Sequence, residues 1–104
     1  MKSIHFSSPL KIGGAARATL DMRDPCMGDE EDALSMAQDM GRGENALTVE
    51  MCLLSRLCGL RYEETRSMRS ADYKRLREAY AALAGDGGAK NAEPEAEEAP
   101  PPAA

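Results

Sequence analysis

The chain has 104 residues, three cysteines, no tryptophan and a net charge of −5, and its length suits one small domain. Its longest strongly apolar run, Met51–Leu54, is far shorter than the roughly 20 residues of a membrane-spanning helix. Because no apolar signal region is found either, we expect no membrane insertion, and free thiols in a reducing cytoplasm.

A β-hairpin is predicted first, over about residues 2–23. Apolar residues alternate with polar ones on both sides of the Gly13-Gly14 pair, at Ile4, Phe6, Leu10, Ile12, Ala18, Leu20 and Met22. A period of two is typical of strands, and a glycine pair between two such runs is typical of a tight turn. Pro9 predicts a kink or an edge position in the first arm.

Three to four helices are predicted after the hairpin, at about residues 28–40, 45–59, 62–67 and 71–84. The acidic run 29–32 suits the first turn of the first helix, where negative charge complements free amides. The second helix has the strongest pattern, with apolar residues at spacings of 4, 3 and 4: Leu47, Met51, Leu54 and Cys58. In the last helix one apolar face is formed by Tyr73, Leu76, Tyr80 and Leu83.

Residues 86–104 have a different composition, rich in Ala, Glu, Pro and Gly and without any large apolar side chain. Five acids and one lysine give this tail a charge of −4, which leaves −1 for residues 1–85. Such a segment cannot bury enough surface to fold, so it is predicted to be disordered. The fold class is therefore predicted as α+β, with one small domain at 1–85 and an acidic tail.

No catalytic or metal-binding pattern emerges from the residue types. The only histidine, His5, has no accompanying nucleophile motif, and Gly13-Gly14 lacks the context of a phosphate-binding loop. Cys52 and Cys58 are six residues apart, about 240° around a helix, so their thiols diverge. We expect no enzymatic activity, no metal and no cofactor.

A basic cluster lies in the last two helices and gives residues 56–84 a charge of +3: Arg56, Arg61, Arg66, Arg69, Lys74, Arg75 and Arg77, against Glu63, Glu64, Asp72 and Glu78. A small helical DNA-binding regulator that uses this cluster is one hypothesis. The interleaved acids favour a solvated or partner-facing rim instead, so we expect no specific nucleic-acid binding.

The order of several short motifs gives a second hypothesis. Residues 8–14 (SPLKIGG) are followed by 20–25 (LDMRDP) and a Gly28-Asp29 step, and later 53–60 (LLSRLCGL) precedes Met68 and 70–73 (SADY). This succession, over about residues 3–83, resembles the tail assembly chaperones of Mu-like bacteriophages and prophages. It departs from the family pattern at Arg61-Tyr62, where a Ser-Pro type of helix start is commoner.

The resemblance implies a cytoplasmic protein that binds the tape measure protein, a very long helical chain, and keeps it soluble until tail tube subunits polymerise. Further partners that it implies are the tail tube protein or a longer frameshifted form of the chaperone itself. A structural component of the virion is a third hypothesis, which differs only in whether the protein stays in the finished particle.

The partner surface is expected to be apolar and built around the second helix. We expect its stripe of Leu47, Met51, Leu54 and Cys58 to pack on the hairpin. The flank of this helix and nearby methionines would then stay exposed and bind the partner. The predicted partner-binding residues are Met36, Met40, Leu53, Leu57, Leu60 and Met68.

Overall fold

The computed structural model describes residues 1–85, in which a two-stranded antiparallel hairpin is followed by four helices. The elements are β1 (Lys2–Ile12), β2 (Ala15–Met22), α1 (Met27–Asp39), α2 (Ala46–Cys58), α3 (Tyr62–Arg66) and α4 (Ser70–Ala84). The predicted α+β class is confirmed, and each helix begins and ends within two residues of its predicted bounds. The predicted disordered tail, 86–104, lies outside the described residues.

The hairpin turns at Gly13 and Gly14, whose φ angles are 60° and 83°. Positive φ at both central residues is the requirement of a type I′ turn, which glycine meets without steric strain. The strands are in register from Lys2 opposite Met22 to His5 opposite Thr19, and again from Leu10 opposite Arg17. Four residues, 6–9, therefore lie opposite Ala18 alone. The irregularity expected at Pro9 is part of this bulge.

The ends of α2 follow from local chemistry. The side-chain oxygen of Asn45 accepts a hydrogen bond of 3.0 Å from the backbone N–H of Thr48, which caps the first turn. At the other end Gly59 has a left-handed φ of 70° and stops the helix.

The short helix α3 connects the hairpin turn to α2. The carboxylate of Glu64 accepts a hydrogen bond of 2.8 Å from the backbone N–H of Gly13, at the tip of the hairpin. The hydroxyls of Ser55 and Thr65, both buried, lie 2.6 Å apart and join α3 to α2. These two contacts fix the tip of the hairpin over the C-terminal end of α2.

The core lies between the inner face of the hairpin and the helices. The hairpin contributes Ile4, Phe6, Leu20 and Met22, as its alternation predicted, while His5 and Thr19 face outward. The largest apolar side chains with no exposed surface are Met22, Leu54 and Leu76, one each from β2, α2 and α4. Helix α2 contacts α1, α3, α4 and β2, so it is the central element.

The expected packing of α2 is only partly right, because Leu54 of the predicted stripe is buried in the core but the stripe is not buried along its whole length. Leu47, expected to pack on the hairpin, is 56% exposed and Met51 is half-buried. Leu53, Leu57 and Leu60, expected to stay exposed, are only 8%, 2% and 9% exposed and belong to the core. The physical reason is that α1 packs along the flank that was left without a neighbour, so both flanks of the second half of α2 are covered.

Candidate partner-binding surface

Exposed large apolar side chains are concentrated on the first two helices. Apart from Met1, they are Met27, Leu34, Met36 and Met40 of α1 and its C-terminal cap, and Leu47 at the start of α2. On α1 they lie on different faces, because Met27 and Leu34 are two turns apart, whereas Met36 is turned about 200° from Leu34. Exposed apolar groups that lie together mark binding surfaces more often than scattered single residues do. Three of the five are methionines, whose flexible side chains adapt to different partner shapes.

One groove lies between α1 and α2, with a volume of about 560 Å³. Its apolar lining includes Leu34 of α1 and Val49 and Leu53 of α2, and its rim carries Glu30 and Glu31. We call it the α1–α2 groove. Although Leu53 is a core residue, its remaining exposed surface forms part of the floor of this groove.

A second groove, of about 450 Å³, lies between α2 and the segment from α3 to α4. Its apolar lining includes Leu47, Met51 and Met68, and its rim carries the cations Arg66, Lys74 and Arg77. We call it the α2–α4 groove. The two grooves thus have similar apolar floors and rims of opposite charge.

The six predicted partner-binding residues fall into two groups in the structure. Met36 and Met40 are exposed and Met68 is half-buried, so these three have surface to offer to a partner. Met68 also lines a small cavity of about 140 Å³ beside the hairpin, together with Leu10 and Leu60. The other three, Leu53, Leu57 and Leu60, have their main contacts inside the core.

The walls of the α1–α2 groove are fixed by a charge network centred on Asp29, which is buried in the first turn of α1. The Arg23 guanidinium donates two hydrogen bonds to the Asp29 carboxylate, at 2.6 and 2.8 Å. Arg56 of α2 donates a third from Nε at 3.1 Å, and also reaches Asp32 at 2.7 Å. A bidentate pair of this kind is directional as well as strong. The network therefore sets the position of α1 against β2 and α2.

The protonation of Asp29 follows from these contacts. Hydrogen bonds from Arg23 hold the pKa of the carboxyl well below its ordinary value, although its burial acts in the opposite direction. Smaller contributions come from the thiol and backbone N–H of Cys26 and from Arg56. Sequence reasoning placed Asp29 at a helix start but missed both arginines, which are 6 and 27 residues away in the chain.

The side of the α2–α4 groove is held by a polar contact between its two helices. The Tyr73 hydroxyl donates a hydrogen bond of 2.8 Å to the Glu50 carboxylate, and Arg77 Nε lies 3.4 Å from the same oxygen. Burial, with the Glu50 carboxylate beside the ring hydroxyl, raises the pKa of Tyr73 above its ordinary value. Tyr73 is thus a neutral donor at neutral pH, which keeps α4 in place along α2.

The cysteines do not form a reactive or metal-binding centre in the part of the chain that the structure describes. Cys26 is exposed, Cys52 is buried and Cys58 is half-buried, and none is in a disulfide. Burial raises the pKa of the Cys58 thiol to about 11, which leaves it protonated at neutral pH. Within residues 1–85 no three His, Cys, Asp or Glu side chains converge as metal ligands would. That the chain binds no metal stays a prediction.

Over the same residues, none of the helices combines the length and the apolar character of a membrane-spanning segment.

Comparison with known protein families gives the same family as the order of short sequence motifs. The family model described as phage tail assembly chaperone proteins, E, or 41 or 14, matches residues 3–85, which cover both strands and all four helices described above. No curated protein and no solved structure matches the chain. Because the family model covers well over half of the sequence, the chain belongs to the phage tail assembly chaperone family.

Proposed function

We propose that this protein binds helical segments of the phage tape measure protein and keeps them soluble until the tail tube polymerises around them. Its family membership supports a role in tail assembly. The observation that carries the finer proposal is that exposed Met and Leu side chains of α1 and α2 line two apolar grooves, Met27 and Leu34 in the first and Leu47 in the second. Amphipathic helices bind to apolar grooves through side chains spaced three and four residues apart.

The proposed action is stoichiometric binding in the cytoplasm of the host bacterium, with no enzymatic step and no cofactor. Apolar binding surfaces that are exposed before assembly and covered after it suffice for such a role. The tail tube protein and a longer frameshifted form of this chain are further proposed partners. In this proposal the protein leaves before the particle is complete, which distinguishes it from a structural component of the virion.

The alternative of a DNA-binding regulator has less support. Four of the seven residues of the basic cluster pair with carboxylates: Arg56 with Asp29 and Asp32, Arg61 with Glu64, Arg69 with Asp72, and Arg77 with Glu50. A guanidinium that is already paired releases fewer counterions when it meets a phosphate, so the cluster gives a smaller electrostatic contribution than its charge suggests.

The test is co-expression of the tape measure protein, or long fragments of it, with and without this chain. We expect the fragments to be insoluble alone, and soluble and co-purifying with the chaperone. Met27→Glu/Leu34→Glu and Leu47→Glu change the apolar linings of the two grooves, and at least one of these variants should lose the fragment. Ala82→Glu, at an exposed position of α4, is the matched control and should retain it. Fragments that are equally soluble without the chaperone would refute the proposal.

A further inference from the structure

We propose that the α2–α4 groove selects a partner helix with an apolar stripe flanked by acidic side chains. This inference rests on the proposed function, because it names the chemistry of the helix that the chaperone holds. It goes further in assigning one of the two grooves and a charge preference to that binding.

The floor of the groove supplies apolar contact from three segments of the chain. Leu47 and Met51 lie one turn apart on α2, and Met68 lies between α3 and α4. Leu47 is 56% exposed, more than any other leucine among residues 1–85. Its position at the N-terminal end of α2 leaves more than half of its surface exposed, so a partner side chain can cover it.

The length of the groove suits about two turns of helix. On α4 the lining runs from Ser70 to Arg77, a distance of roughly 10 Å at about 1.5 Å per residue. A partner helix of that length presents three apolar side chains, at positions i, i+3 or i+4, and i+7. The groove volume of about 450 Å³ is within the usual range of small binding sites.

The rim gives the charge preference. It carries Arg66, Lys74 and Arg77, and the nearby acid is Glu50, which is engaged by Arg77 and by the Tyr73 hydroxyl. Neither Arg66 nor Lys74 forms an ion pair with any residue of 1–85. Two cations that form no ion pair within residues 1–85, beside an apolar floor, complement carboxylates that flank an apolar stripe.

The charge of the α1–α2 groove supports the assignment of the acidic partner helix to the α2–α4 groove, because the α1–α2 groove disfavours binding of that helix. Its rim carries Glu30 and Glu31, which repel acidic flanks. Discrimination by charge repulsion at one surface and attraction at the other directs an acidic amphipathic helix to the α2–α4 groove.

The experiment compares two synthetic helical peptides on the full-length chain carrying Glu30→Gln/Glu31→Gln, which removes the acidic rim of the α1–α2 groove and with it that groove's attraction for a lysine-flanked helix. Both carry leucine at i, i+3 and i+7, with glutamate at the flanking positions of one and lysine in the other. We expect the glutamate peptide to bind roughly tenfold more tightly at low ionic strength, a difference of about 1.4 kcal/mol in binding free energy, because its carboxylates are attracted to the two rim cations that repel the lysine peptide. The difference should shrink in high salt, because these charges are exposed to solvent.

Two charge-reversed variants locate the preference. Arg66→Glu/Lys74→Glu changes the rim, and Arg17→Glu/Arg75→Glu makes the same change in net charge at exposed positions outside the groove lining. The rim variant should lose or invert the preference for the glutamate peptide, and the control should keep it. Circular dichroism of each variant shows that the fold is retained, as expected for exposed positions.

Four results would overturn the inference: equal or tighter binding of the lysine peptide, a preference that persists in the rim variant, tight binding of a DNA duplex that the rim variant abolishes, or no binding of either peptide. Each is separable from the proposed function, which depends on whether tape measure fragments co-purify with the wild-type chain. If they co-purify while neither peptide binds, the chaperone uses another surface and this assignment is wrong.

Discussion

Replacing Leu53 and Leu47 one at a time by alanine tests which side of α2 belongs to the core. Leu53 is 8% exposed and Leu47 is 56% exposed, although both are leucines of the same helix. Leu53→Ala removes buried carbons worth about 0.8 kcal/mol for each CH2. With the cavity that remains, the loss of unfolding free energy is about 3 kcal/mol, within the usual range of about 2–5 kcal/mol.

The same change at Leu47 leaves no cavity, because the side chain faces solvent over more than half of its surface. Its loss should be about 1 kcal/mol or less, reduced further by the better helix propensity of alanine. In a protein of this size each kcal/mol shifts the melting temperature by about 4–8 °C. We therefore expect Leu53→Ala to lower it by about 12–24 °C, and Leu47→Ala by less than about 8 °C.

Thermal unfolding followed by circular dichroism at the helix band measures both values, and urea unfolding provides an independent estimate. Similar losses in the two variants, or a Leu53→Ala protein that melts with the wild type, would mean that α2 is rotated about its axis from the orientation described. Leu53 would then be a surface residue, as the sequence suggested.

Four further predictions concern other parts of the chain. The pKa of Asp29 is lowered in the folded state, so its carboxylate stabilises the fold above its unfolded pKa of about 4, and this contribution is lost as pH falls. Asp29→Asn should therefore melt at a lower temperature than the wild type at neutral pH. Its melting temperature should also change less than that of the wild type as the solution is acidified. Gly59→Ala should lower the free energy of unfolding by about 1–2 kcal/mol, measured by chemical unfolding, because the φ of Gly59 is 70°. Gly28→Ala should raise it by up to about 1 kcal/mol, because Gly28 lies in α1 and has open space at its Cβ position. Removing residues 86–104 should change the melting temperature by no more than a few degrees, since their composition offers no core; a larger fall would show that they pack on the rest of the chain. Elemental analysis of protein purified without chelator should find no stoichiometric zinc after dialysis, and zinc that survives would revive a cysteine-based site.

The hairpin and the positions of the helices were predictable because their signals are local. Alternation around Gly13-Gly14 determines a turn and two strands without reference to any distant residue, and the structure confirms both. Asn45 and Gly59 likewise mark the two ends of α2 through contacts within a few residues. Helix α4 begins at Ser70, and Arg69 occupies its capping position.

How much of α2 is buried was not predictable, because the helix is apolar around most of its circumference. The structure buries Leu54 of the predicted stripe and also Leu53 and Leu57 on its flank, and periodicity alone cannot show that both are covered. The burial of the flank depends on where α1 packs, which is a tertiary contact. The Asp29 network was missed for a similar reason, since its arginines are separated from it in sequence and meet it only in the folded chain.

The opposing charges of the two groove rims were also not evident from composition. Residues 1–85 are nearly neutral, at −1, and the basic cluster was considered as a whole. The structure pairs most of that cluster with acids and leaves Arg66 and Lys74 beside an apolar floor. The ion pairs that each cation forms with acids, rather than the net charge of the cluster, determine which cations can bind a partner.

The bulge in β1 has a consequence for how the chaperone behaves when it is abundant. A two-stranded sheet has no interior strand, so each strand has an outer row of backbone groups that can add a strand from another molecule. Residues 6–9 lie opposite Ala18 alone, so the backbone of β1 leaves regular pairing geometry midway, and Pro9 within this stretch has no N–H to donate. A strand from a second molecule could therefore pair with β1 over only a few residues at a time, which disfavours aggregation through this edge of the hairpin.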